Sequence, residues 1–311
     1  MKNISTPAEI NSLFANGDPD EVWPKAVEII GRINPAYDFR IARTAFDDIV
    51  RLFRGGYPGY CPVRTLYHDL RHTLDVFLCA VRLMHGVHLS GIRLTDDEIT
   101  MIMMAALMHD IGYAQLEGEE TGSGAQYLKT HVSRGIEFMQ RYAADRHLPP
   151  GAATCLKSII LSTDPALAVS RIHFPDERIR LLGQIVGTAD LTGQMADRTY
   201  LEKLLFLYLE FEEAHFGGFQ NIHDLLRKTR EFYEVTRQKL DGELGGIYTK
   251  LTYHFKDWFG VERNYYLESI EKNIAYLDKV TPLNEAKYLS MLKRGGIVEK
   301  TEALVTSGGI A

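Results

Sequence analysis

Apolar side chains recur at helical spacing along most of this chain, and the alternating patterns typical of strands are hard to find. After Thr95, for example, apolar residues follow at positions 99, 102, 103, 106 and 107, which lie on one face of a helix. Glu98 stands three residues after Thr95 and completes the pattern of a capping box. The sequence therefore predicts an all-α fold, a compact multi-helix bundle.

The 311 residues are enough for one large domain or two modest ones. We divide them into N-terminal helices over residues 1–55, a metal-binding core over 56–216 and a C-terminal helical extension over 217–311. We expect these segments to pack as one continuous domain. The nearly continuous apolar run at 201–209 indicates either a central helix or part of an interface, so a homodimer remains among the expected partners.

Charge and cysteine usage narrow the functional classes. The chain has 35 basic and 41 acidic residues, a net charge of −6, and no long basic run, which argues against a nucleic-acid polymer as partner. Its three cysteines lack CxxC spacing, which argues against a disulfide framework or a cysteine zinc site. No apolar signal core or membrane-length apolar stretch is visible. We expect a cytoplasmic protein with no membrane partner.

Histidines and aspartates form four short clusters with ligand chemistry for divalent metals. The candidate ligands are His68, His72, His109, Asp110, His131 and Asp190. His68 and His72 are four residues apart and share a helix face, so either one or both could bind an ion. His109 and Asp110 end an apolar helical stretch, where a polar pair is costly without partners. Asp190, expected at the end of another apolar helix, would complete the shell from the opposite side.

The sequence segments around these clusters are similar to known motifs. YHDLRHTLDV resembles the Y-H-N-x-x-H-x-x-D-V motif of class I cyclic nucleotide phosphodiesterases, and LMHDIGY resembles their L-x-H-D-x-G segment. ILSTD resembles their I-L-x-T-D segment, and TADLTG resembles the A-D-L-S that carries their last ligand. The order H…HD…D resembles the HD-domain superfamily of metal-dependent phosphohydrolases. The resemblance extends over residues 60–214.

This resemblance implies an HD-domain, phosphodiesterase-like bundle with additional C-terminal helices and two divalent metal ions, drawn from Zn, Mn, Mg or Fe. It assigns the first ion to four ligands, His72, His109, Asp110 and Asp190. Asp110 would also touch the second ion. His68 would be the general acid rather than a ligand, and a carboxylate would keep it protonated. Asp164 and Asp69 are the candidates for that carboxylate, and the resemblance favours Asp164.

The chain departs from the family pattern at two places. Asp69 stands where the family usually has Asn, and Tyr113 lies in a run, HDIGYAQ, that lacks the family's further histidine. His131 instead resembles the third histidine of other HD proteins, which helps to hold the second ion or the phosphate. Gln220 is a candidate counterpart of the glutamine that clamps the purine. Among the remaining residues, we expect Asp75 to orient His72, and Lys129 and Arg134 to meet phosphate oxygens.

Together these residues predict a metal-dependent phosphohydrolase acting on a small-molecule phosphoester. Metal-activated hydroxide would attack a phosphodiester, with a nucleotide or cyclic nucleotide as substrate, while His68 protonates the leaving oxygen. Three alternatives remain: a nucleotide phosphomonoesterase, a di-iron oxygenase of the HD type, and a non-catalytic regulator that binds nucleotides. The complete set of acid and ligands argues against the regulator, because a binder needs no general acid.

Overall fold

Helices make up the regular structure of residues 13–14 and 17–306, the part of the chain that this computed structural model describes. The first seven α-helices are α1 (Pro19–Ile33), α2 (Arg40–Phe53), α3 (Leu70–Leu89), α4 (Asp96–Met108), α5 (His131–Asp145), α6 (Ala152–Leu161) and α7 (Glu177–Ala196). The other six are α8 (Tyr200–Glu213), α9 (Ile222–Asp241), α10 (Leu251–Phe259), α11 (Tyr265–Val280), α12 (Glu285–Met291) and α13 (Ile297–Thr306). No strand occurs within these residues, and the all-α prediction is confirmed.

Capping side chains fix several helix starts. Thr95 and Glu98 form both halves of the expected capping box at α4. The α3 helix begins at Leu70 because the Asp69 side chain accepts a hydrogen bond from the backbone N–H of His72. The helix then continues without interruption to Leu89.

The α3 helix is the centre of the bundle. Its residues from 72 to 87 are all buried, which is the pattern of a helix surrounded by others. It packs against α1, α4, α7 and α10. Gly86 makes the contact with α10 possible, because a Cβ there would lie 2.0 Å from the carbonyl oxygen of Lys250. A rigid, buried helix therefore carries His72 into the interior.

The α7 helix extends further than the sequence suggests. We expected it to end at Asp190, but it continues to Ala196, so Asp190 projects from the middle of a buried helix. None of the described helices is both long and apolar enough to cross a lipid bilayer.

Candidate metal centre

Three helices bring four ligand side chains to one buried point. His72 comes from α3, His109 and Asp110 from the end of α4, and Asp190 from α7. The Asp110 Oδ2 atom lies 3.2 Å from His72 Nε2 and 3.1 Å from His109 Nε2. Asp190 Oδ1 lies 3.5 Å and 3.8 Å from the same two nitrogens, which are 3.3 Å apart. Residues separated by up to 118 positions thus present their ligand atoms to a single small volume.

The ligand atoms of His72, His109 and Asp110 all lie within 4.8 Å of one another, a spacing that suits an ion. Asp190 Oδ1 lies beside the two histidine nitrogens. Ligand atoms about 2.1 Å from one cation are about 3.4 Å apart in a tetrahedral arrangement. The two imidazoles and two carboxylates supply the nitrogen and oxygen donors that Zn, Mn and Fe accept in proteins. All four residues are buried, where charges of this density are costly without a cation between them. The residues present therefore fit a divalent metal.

His131 joins this cluster at its edge. It is the first residue of α5, and its Nε2 lies 3.5 Å from Asp110 Oδ1, the oxygen that does not face His72 and His109. Asp110 therefore presents one oxygen to each side, as a bridging carboxylate would. Upstream of this helix, residues 125–127 form a separate 3-10 turn.

Backbone carbonyls fix which ring nitrogen of two histidines faces the cluster. His109 Nδ1 lies 2.9 Å from the carbonyl oxygen of Ala106, and His131 Nδ1 lies 2.7 Å from that of Leu128. A carbonyl can only accept, so each Nδ1 carries the proton and donates it. Each Nε2 is then left with its lone pair toward Asp110, which is the tautomer a metal ligand needs.

The electrostatics of the cluster are those of a site built for positive charge. Burial disfavours the charged form of His72, but the carboxylates of Asp110 and Asp190 raise its pKa to about 10. Burial also disfavours the charged form of His109, but its pKa is raised as well, chiefly by Asp110. Burial opposes ionisation of Asp110 as well, yet His109 and His72 hold its pKa well below the usual range. Without a cation, protons take its place on the histidines.

His68 lies beside the cluster and is held by a carboxylate that the sequence did not single out. Its Nδ1 is 2.6 Å from Oε2 of Glu210, a buried residue of α8. The other oxygen, Oε1, accepts hydrogen bonds from the backbone N–H of Tyr67 at 2.6 Å and of His68 at 3.4 Å. The carboxylate thus fixes both the ring and the main chain of His68, and leaves Nε2 as the nitrogen available for proton transfer.

Both expected carboxylate partners of His68 were wrong. The Asp164 side chain accepts from the backbone N–H of Ala166 at 2.8 Å and stabilises the turn after α6. Asp69 caps α3. The signal for Glu210 was weak but present, since it is the acidic residue that ends the apolar run at 201–209 and faces inward.

The remaining predicted site residues lie elsewhere or have other contacts. The Asp75 carboxylate is buried and lies 3.9 Å from Arg71 Nε. Arg134 donates to the carbonyl oxygens of Gly112 and Ala114, both at 3.0 Å, and so braces the backbone that follows Asp110 instead of facing the centre. Lys129 and Gln220 are exposed on the surface.

Tyr113 was not among the predicted site residues. Its ring centroid lies 4.5 Å from that of His68 and 4.5 Å from that of His131, with interplanar angles of 17° and 12°. The residue is 1% exposed, and its phenol oxygen has no hydrogen-bond partner within the described part of the chain. Burial and the nearby carboxylates, Asp110 first, raise the pKa of this phenol well above its usual value.

Comparisons with known proteins show what this chain is similar to. A family model described as Npun_R2479-like matches residues 116–240, less than half of the chain. Over 195 residues the chain is 27% identical to the dual specificity calcium/calmodulin-dependent 3',5'-cyclic nucleotide phosphodiesterase 1 of Drosophila melanogaster. The aligned stretch is 58% of this chain and 20% of that protein, so the chain spans about a fifth of that relative's length. The chain is thus distantly similar to a phosphodiesterase and carries a buried His-His-Asp cluster that fits a metal.

Proposed function

We propose that this protein is a metal-dependent phosphohydrolase that cleaves a phosphodiester, with a nucleotide or cyclic nucleotide as the substrate class. One observation carries the proposal: the ligand atoms of His72, His109, Asp110 and Asp190 converge beside a histidine that is braced by Glu210. The distant similarity to a cyclic nucleotide phosphodiesterase supports the same chemistry.

Each side chain has a defined part in this proposal. The four converging residues would hold the first ion, while the second oxygen of Asp110 and His131 would hold the second. When bound, two such ions would supply Lewis acidity and would lower the pKa of water enough to make hydroxide available at neutral pH. The burial of the ligands excludes bulk water, so the charges of the side chains act at nearly full strength.

His68 would act on the leaving group. Glu210 accepts a hydrogen bond from Nδ1–H of His68 and so fixes the orientation of the ring. As an ionised carboxylate, Glu210 also stabilises the positive charge of a doubly protonated imidazole. The proton on Nε2 is then the one to transfer to the leaving oxygen. The His68 ring is held by its hydrogen bond to Glu210 and not by the metal ligands. It can therefore lose its proton without disturbing those ligands.

Metal content and turnover measured on the same variants test the proposal. We expect elemental analysis of the purified protein to find a divalent metal, and bis(p-nitrophenyl) phosphate to be cleaved faster than p-nitrophenyl phosphate. His109→Ala and Asp110→Ala should lose both metal and turnover. His68→Ala should keep its metal and slow turnover by roughly 10²–10⁴-fold, the range of general acid catalysis.

Asp164→Asn is a matched control, because this aspartate stabilises a turn outside the cluster and should leave metal content and turnover unchanged. Loss of metal in His68→Ala would contradict the acid role and place His68 among the ligands. Faster cleavage of the monoester would favour a nucleotide phosphomonoesterase on the same scaffold.

One observation keeps a second function open. His131 adds a third imidazole beside Asp110, and a nitrogen-rich pair of sites suits iron. Two iron atoms per chain, together with no cleavage of either ester, would favour a di-iron oxygenase over the hydrolase.

A further inference from the structure

Tyr113 ends the 3-10 turn that follows His109 and Asp110, and the surrounding backbone fixes its position. Its N–H donates to the carbonyl oxygen of Asp110 at 3.1 Å. Gly124 packs so closely against the carbonyl oxygen of Tyr113 that a Cβ on Gly124 would lie 2.4 Å from this oxygen. The residue is therefore placed by the same turn that places Asp110, and it cannot move independently of the centre.

The ring of Tyr113 contacts both histidines that flank the four-ligand cluster. It lies nearly parallel to His68 and to His131, each at a centroid distance of 4.5 Å, while those two histidine rings are 6.3 Å apart. Under the proposed function, His68 is the general acid and His131 faces the second ion. The tyrosine ring thus borders both the proposed general acid and the histidine that faces the second ion.

The phenol group of Tyr113 is the unexplained part of this arrangement. It is buried and has no hydrogen-bond partner among the described residues, although a buried hydroxyl without a partner destabilises a protein. Burial and the carboxylates of Asp110, Glu210 and Asp190 raise the pKa of this phenol, which donates a hydrogen bond to none of these three groups. A donor left unused in such surroundings points to a ligand with an acceptor oxygen.

We propose that the Tyr113 phenol donates a hydrogen bond to a phosphoryl oxygen of the phosphoester, and to the phosphate product that leaves the same place. This assignment rests on the proposed function, because it is the metal ions that would bring the anion between the carboxylates. Tyr113 is thereby a substrate-contacting residue of this chain. A histidine or phenylalanine at this position would not place a donor at the same point.

The test uses the metal-loaded and metal-free forms of the full chain. Tyr113→Phe keeps the ring and removes only the donor. We expect isothermal titration of the Mn²⁺-loaded variant with inorganic phosphate to give an affinity roughly ten- to a hundredfold weaker than that of the wild type, the range for a hydrogen bond to a charged acceptor. The melting temperature of metal-free Tyr113→Phe should be equal to or higher than that of the wild type, because the lost hydroxyl had no partner.

Tyr142→Phe is the matched control. Its buried phenol donates to Asp48 Oδ2 at 2.9 Å, on the far side of α5, so its removal should lower the melting temperature and leave phosphate affinity unchanged. A fall in the melting temperature of metal-free Tyr113→Phe as large as that of Tyr142→Phe would overturn the proposal, since the phenol would then have a structural partner.

The other outcomes also decide. Unchanged phosphate affinity in Tyr113→Phe overturns the proposal, and a shifted pH profile of turnover alongside it would assign the phenol to a water molecule instead. Absence of phosphate binding by the Mn²⁺-loaded wild type overturns it as well. A wild type that binds phosphate through Tyr113 but cleaves neither ester would leave this assignment standing and refute the hydrolase.

Discussion

At the scale of single residues, the candidate ligands could be predicted from the sequence, but the carboxylate partner of His68 could not. His72, His109, Asp110 and Asp190 are found where motif spacing placed them, because each lies in a short segment whose residue types are themselves informative. Glu210 is one glutamate among many and lies 142 positions from His68. Only the folded chain shows that α8 brings it there.

Glu210→Gln isolates the charge of this partner. The amide oxygen can still accept from Nδ1–H of His68, but it cannot stabilise a positively charged ring. We expect turnover to fall by about 10- to 100-fold, the range seen when the outer partner of a working histidine is altered. Metal content should stay at the wild-type level because Glu210 contacts none of the four ligands.

Turnover at the wild-type rate in Glu210→Gln would contradict the role of the carboxylate in proton transfer. Glu213→Gln is a suitable control, since this residue lies on the same helix and binds Ser123 through both oxygens, away from His68.

At the scale of elements, the presence of the helices could be predicted from the sequence, but the residues at which they begin and end were harder to predict. The capping box at Thr95 is a local signal and is present as expected. The start of α5 at His131 depends on long-range packing, because the turn that carries Gly112 presses against the first residues of that helix. Periodicity alone could not show that residues 125–130 would leave the helix, and so could not place His131 at its tip.

The close approach between this turn and α5 gives a prediction. A Cβ on Gly112 would lie 1.8 Å from the carbonyl oxygen of His131 and 2.7 Å from the backbone nitrogen of Gly135. Gly112→Ala should therefore lower the free energy of unfolding by roughly 1–3 kcal/mol, as overpacking does, and weaken metal binding by displacing His131. Chemical denaturation and a metal titration measure the two effects.

Gly31→Ala is the matched control, because it lies inside α1 with open space around the added Cβ. It should raise the free energy of unfolding by about 0.5–1 kcal/mol, the preference of a helix interior for alanine. If both variants had the same stability, the tight contact at Gly112 would be refuted.

At the scale of the whole molecule, a second pair of histidines far from the ligands governs stability in mild acid. His85 and His254 are buried with their Nδ1 atoms 3.0 Å apart. Burial lowers the pKa of His85 to about 4 although Asp257 opposes this shift, and burial with the charge of Arg82 lowers that of His254 well below 6.5. Arg32, which lies over the adjacent Trp258 ring, acts in the same direction.

The sign of the pH dependence follows from these directions. Between about pH 6.5 and about pH 4 the unfolded chain protonates these histidines and the folded chain does not, so stability falls as the pH falls. His72 and His109, whose pKa values are raised, act above this window. We expect urea unfolding of the metal-free protein to show a loss of about 1–2 kcal/mol for His85 alone between about pH 6.5 and about pH 5.

His254→Asn should reduce this loss, because one of the two depressed groups is gone. An equal loss in wild type and variant would mean that other groups cause the pH dependence. The quantity to compare is the change in the free energy of unfolding between the two pH values. This change separates the effect from any general destabilisation of the variant.

Binding of a cation should also be visible in the stability of the entire fold, since its ligands come from three helices. At a free Mn²⁺ concentration of about 100 times the dissociation constant, the folded chain should gain about 2.7 kcal/mol, and a chelator should remove this gain. Asp110→Asn should abolish the response, while Asp164→Asn should retain it. An undiminished response in Asp110→Asn would place the ion elsewhere.

The wide separation of the ligands along the chain has a kinetic consequence. Helices α3, α4 and α7 can each form locally, but the cavity for an ion does not exist until all three have docked in their final register. A refolding chain would therefore regain its circular dichroism first and its capacity to capture a cation last. The arrival of the ion would mark the moment at which folding is complete.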